Sequence, residues 1–94
     1  MPNNDFKTKY RVVVMDMFDY GKSYDHSDYY TYEEALCMVK EVISTSISKS
    51  GKEGVEEWWL FGETAYILSI NGAPPCPKFD DAEFVRQLCG VEEE

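Results

Sequence analysis

Four apolar residues in a row, Val12-Val13-Val14-Met15, constrain this chain more than any other segment. Alternation over Tyr10 to Phe18 places Val12, Val14, Asp16 and Phe18 on one side and Val13, Met15 and Met17 on the other. Both sides begin apolar, so the segment is predicted to be a central strand, with Asp16 and Asp19 marking where burial ends. A central strand needs neighbours on both edges, and the rest of the sequence has to supply them.

The following turn, Tyr20-Gly21-Lys22-Ser23, leads into a weakly alternating stretch from Tyr24 to Tyr30. It reads as a short strand folding back on the first. A helix is then predicted from Thr31, which can cap it, with Glu34 completing a capping box. Ala35, Leu36, Val39, Val42, Ile43 and Ile47 follow helical spacing and form its apolar face. Ser50-Gly51-Lys52 is expected to end it, with Gly51 as a left-handed cap. Glu56 to Phe61 reads as a third strand, with Trp58 and Leu60 on one side and Trp59 and Phe61 on the other. Gly62-Glu63 fits a type II′ hairpin turn, and Ala65 to Ile70 is the return strand. After Asn71-Gly72 and a Pro-rich connection, Asp80 and Glu83 start a last helix. Phe79 staples onto Phe84; Phe84, Val85 and Leu88 form the stripe, and Gly90 stops it.

The expected fold is therefore α+β: strand-strand-helix-strand-strand-helix, a small antiparallel twisted sheet with its helices packed on one face. Any crossover joining parallel neighbours through the first helix would be right-handed. Residues 1–9 read as a flexible leader, 10–90 as a single domain and 91–94 as an acidic tail. If Trp58 and Trp59 sit on one strand, they cannot both face the helices. One sheet face is then left with an aromatic surface that a loop, a second subunit or a ligand must cover.

Charge narrows the partners. In 94 residues Asp and Glu number 18 against 9 Lys and Arg, a formal net charge of −9. Such a surface repels polyphosphate backbones and anionic membranes, so neither nucleic acid nor membrane is an expected partner. No apolar run reaches the length of a membrane span, and the polar stretch Met1 to Lys9 has no signal-peptide core. A soluble, cytoplasmic protein is expected. Cys37, Cys76 and Cys89 show no zinc or redox spacing, so Cys37 and Cys89 are read as small core or boundary residues.

Several segments also carry a resemblance. Val12 to Val14 lead into Asp16, Phe18 and Tyr20; Tyr32-Glu33-Glu34-Ala35 starts a helix; Phe61-Gly62-Glu63 makes a turn; and a short helix runs from Phe79 through Phe84 to Cys89. In these elements the chain resembles a group of small bacterial proteins with no assigned function. Where that group carries Asn and His in its first motif, this chain has Met17 and Asp19. The resemblance implies a compact intracellular domain and supplies no substrate.

Three functional readings follow. The first is a protein-binding or adaptor module acting through an aromatic sheet face or edge, as a homodimer or with another protein. Its candidate binding residues are Trp58, Trp59, Tyr29, Tyr30 and Tyr66. Core packing is the competing account of these rings. The second is an acidic decoy that inhibits a nucleic-acid-binding protein or toxin. The third is a small metal-binding or acid/base enzyme around Asp16 and His26, with Asp19, Asp25 and Asp28 as further ligands. Against the third, no phosphate-cradling loop, nucleophile elbow or zinc pattern is present, and no cofactor is expected. A solvated hairpin end whose charges protect a sheet edge explains the same residues.

Overall fold

A computed structural model describes residues 8–19, 21–47 and 50–91. Tyr20, the leader residues before Thr8 and the tail beyond Val91 lie outside the described residues. The chain is α+β, with β1 Tyr10–Asp16, β2 Ser23–Tyr29, α1 Tyr32–Ser46, α2 Gly51–Phe61, β3 Glu63–Ser69 and α3 Asp81–Cys89. The sheet has three strands in the order β2-β1-β3, and both pairings are antiparallel. No parallel crossover arises among these strands.

β1 is central, as its two apolar faces require. Val12 and Val14 enter the core beside Ala35, Val39 and Ile43 of α1, Trp58 of α2, Ala65 of β3, and Val85 and Cys89 of α3. Each fully buried Val or Ile here contributes about 1.5–3 kcal/mol of transfer free energy. Val13, on the other side of β1, is also nearly dry although it stands outside this cluster. Thr8 and Lys9, read as leader, are tied down: Lys9 N–H donates to the Tyr29 carbonyl at 2.8 Å, and Asn71 Nδ2 donates to the Thr8 carbonyl at 2.7 Å.

The start signal of α1 forms the full capping box, whereas at α3 the Asp80 cap forms but Glu83 Oε2 accepts from Gln87 Nε2 at 3.4 Å and does not close the expected box. Thr31 Oγ1 accepts from Glu34 N–H at 3.2 Å, and Glu34 Oε1 accepts from Thr31 N–H at 3.2 Å. Asp80 Oδ1 accepts from Glu83 N–H at 3.1 Å, while the Phe79 and Phe84 rings meet at 5.7 Å. Gly90 closes α3 with φ 76°. Two further details differ. Leu88 is exposed and Cys89 takes the buried place on α3, and Cys37 lies exposed on α1.

The main correction concerns residues 56–61. They form the second half of α2, so the order is strand-strand-helix-helix-strand-helix. The run Trp58-Trp59-Leu60-Phe61 is apolar at every position and has no period of its own; neighbours decide its geometry. Gly54 and Trp58, one helical turn apart, are the buried residues of α2. Helical spacing sends Trp58 inward and Trp59 about 100° away. The two indoles therefore never compete for two faces of a sheet. Gly51 is left-handed, with φ 70°, but it opens α2, and α1 already ends at Ile47. Gly62 caps α2 with φ −84° and ψ −171°, so no type II′ hairpin forms there.

Candidate functional site

The five aromatic candidates do not form one surface. Trp58 is 1% exposed and belongs to the core. Tyr29 is half-buried against that core, and its hydroxyl accepts from Ser27 Oγ at 2.8 Å. Trp59 is exposed on α2, with its ring centroid 5.0 Å from that of Trp58. Tyr30 is exposed in the link between β2 and α1, and Tyr66 lies across from Val13 on β3.

Another aromatic pair occupies the end of the molecule where β1 runs out. Phe18, just past β1, and Phe61, the last residue of α2, stack with centroids 5.7 Å apart and planes 28° from parallel. Phe18 is 74% exposed and Phe61 64% exposed, and Leu60 beside them is also open. The backbone beneath is locked, because Met17 N–H donates to the Gly62 carbonyl at 2.9 Å. Met17 itself is buried in the core. Asp16 Oδ1 accepts from Phe18 N–H at 2.8 Å and Asp19 N–H at 3.3 Å, which fixes the chain direction at Phe18. The sequence places Phe18 and Phe61 at strand ends beside glycine turns, but nothing in it shows that the two ends meet.

Asp16 thus ends a strand and holds a turn. His26 Nδ1 lies 2.8 Å from Ser27 Oγ, on an edge strand. His26 is the extra residue of a bulge, since Ser27 pairs with Val12 and Asp25 with Val13. The bulge brings Asp25 and Asp28 to the same side, where Arg11 meets both, at 3.4 Å and 2.8 Å. Arg11 holds the Asp28 carboxyl below its ordinary value by donating a hydrogen bond to it. Among the described residues no three His, Cys, Asp or Glu side chains are grouped so as to hold a metal ion. Charges and a bulge on β2 are the means by which an edge strand avoids pairing with other chains.

The opposite edge, β3, borders an open groove of about 370 Å³ between Tyr66 and Leu68 on one side and Pro75, Cys76 and Pro77 on the other. Burial pushes the Cys76 thiol up from its ordinary value. The Tyr32 phenol is also pushed up, by burial first and then by Cys76 and Glu33. Both shifts favour the neutral, less nucleophilic forms. Among the described residues no helix is long and apolar enough to cross a membrane. No protein-family model, curated protein or solved structure matches the chain.

Proposed function

We propose that this chain is a protein-binding module whose contact surface is the aromatic tip made by Phe18 and Phe61, with Leu60 at its margin. One observation carries the reading: two large rings stack on each other while each remains more than half in solvent. Exposed aromatics held in one arrangement suit a contact surface, because little side-chain freedom is left to lose on binding. The backbone lock between Met17 and Gly62 and the Asp16 turn support the same arrangement. The formal charge of −9 sets nucleic acid and anionic membranes aside as partners.

The test is site-specific photo-crosslinking in the cells that make the protein, with a benzophenone side chain at position 61 or, as control, at position 52. A discrete protein adduct from 61 that is lost with Phe18→Ser is the expected result. Equal adducts from both positions, or none, would overturn the reading. Sedimentation velocity of the purified chain identifies a second copy as the partner if the mass doubles.

A further inference from the structure

We infer that the tip receives a cationic amphipathic protein segment, with an apolar side chain seated on the Phe18–Phe61 pair and Lys or Arg on either side of it; this rests on the binding-module reading above. Carboxylates flank both rings. Asp16 and Asp19 bracket Phe18 closely in sequence, and Asp16 stands directly across from Glu63 in the β1–β3 register. Like charges placed opposite each other repel, so this juxtaposition gains from a cation brought between them. Glu56 lies one helical turn before Leu60, which puts a carboxylate behind that apolar residue.

The backbone adds to the same potential. α2 ends at Phe61 and α1 ends close by, where Ser46 Oγ donates to the Glu63 carbonyl at 3.2 Å. Neither helix has a basic residue in its last turn. The negative end of the α2 dipole therefore lies at Phe61, with no basic residue in the last turn of that helix. Lys22 is the cation of the neighbouring turn, while Asp16, Asp19, Glu56 and Glu63 adjoin the tip in the chain or across the β1–β3 register. Docking a second copy tip to tip would bring two such rims together, which electrostatic complementarity disfavours.

The experiment uses the whole chain and three fluorescein-labelled peptides of equal length: Leu/Lys, Ser/Lys and Leu/Gln. Anisotropy is expected to show saturable binding of the Leu/Lys peptide and at least about tenfold weaker binding of the other two. Phe18→Ser and Phe61→Ser should each weaken the Leu/Lys peptide about tenfold. Glu63→Gln and Glu56→Gln, which leave the rings in place, should each weaken it about threefold and flatten its salt dependence. Far-UV circular dichroism confirms that each variant is folded. Unchanged affinity in folded Phe61→Ser overturns the inference, as does Ser/Lys binding equal to Leu/Lys. Leu/Gln binding equal to Leu/Lys removes the cationic partner but keeps the module; absence of every peptide and of any adduct from position 61 removes both.

Discussion

Gly62 lies flat against Trp58: a Cβ at position 62 would stand 2.7 Å from Trp58 Cδ1 and 2.9 Å from the Trp58 carbonyl oxygen. The same carbonyl accepts from Gly62 N–H at 2.9 Å, and Trp58 Nε1 donates to the Glu63 carbonyl at 2.9 Å. The largest buried side chain is thus clamped by the residues that join α2 to β3. The backbone of Gly62 is in a region open to any residue, so the need for glycine is one of contact. Gly62→Ala is expected to destabilise by about 1–3 kcal/mol, the usual cost of overpacking. Urea unfolding measures it; an unchanged midpoint at unchanged slope removes the close contact as an explanation.

The elements that could be read in the sequence are those whose signals are local. Thr31 with Glu34, and Asp80 with Glu83, act over single helical turns, and both helices start where those residues predict. Val12 to Val14 announce a central strand because a two-sided apolar run has few other uses. Residues 56–61 fail for the converse reason. Their apolar positions fit periods of two and of 3.6 equally, and the choice is made by Trp58 entering the core that α3 and the sheet share, with Gly54 buried one turn before it. Glu53, Glu56 and Glu57 just before the tryptophans are better helix formers than strand formers, and that was the available signal. The Phe18–Phe61 stack and the His26 bulge depend on pairing between distant segments, which no local pattern encodes.

Thr64 links β3 to α3. Its hydroxyl donates to Asp81 Oδ2 at 2.6 Å, and Thr64 is 3% exposed. Thr64→Val keeps the shape and removes the donor, leaving a carboxylate oxygen in the first turn of α3 without this bond. A loss of about 1–2 kcal/mol is expected. Hydrogen exchange should accelerate in α3 more than in α1. Asp81→Asn preserves an acceptor and should cost less than Thr64→Val. Equal exchange in all helices of the Thr64 variant would argue that the bond contributes nothing local.

Asp28 makes stability depend on pH in a definite direction. Its carboxyl is held below the ordinary value, chiefly by the hydrogen bond from Arg11. A group depressed in the folded state stabilises above its unfolded value, and that contribution is lost as pH falls through the folded value. Both partners are partly exposed, so solvent and salt reduce the effect. Asp28→Asn should cost about 0.5–1.5 kcal/mol at neutral pH, with the gap to the parent closing in strong acid. Asp25→Asn should cost less, because its contact is longer and its side chain more exposed. Denaturation at a series of pH values checks both; a gap that widens in acid contradicts the assignment.

The stack of Phe18 on Phe61 has an energy that a double-mutant cycle isolates. Both rings are mainly in water, so Phe18→Ala and Phe61→Ala should each cost less than a core truncation, about 1 kcal/mol or below. The double variant should cost less than the sum of the singles, with a coupling of about 0.5 kcal/mol, the low end for aromatic pairs because both rings are in water. Additive losses would mean that the rings are near each other without interacting, and the tip would lose its preset arrangement.

The three thiols should react in an order set by access and by ionisation. Cys37 is exposed, Cys76 is half-buried and Cys89 is buried. Burial pushes the Cys76 thiol up, which reduces its thiolate at neutral pH below that of an ordinary cysteine. Alkylation with iodoacetamide, followed by peptide mass spectrometry, should modify Cys37 first and Cys76 more slowly. Cys89 should react only when the core opens, at a rate that rises with added urea. Raising the pH should speed Cys76 later than a free thiol, since a higher value delays thiolate formation. If Cys76 outruns Cys37 at neutral pH, its side chain is neither shielded nor held neutral, and the groove beside β3 has to be reconsidered as a reactive site.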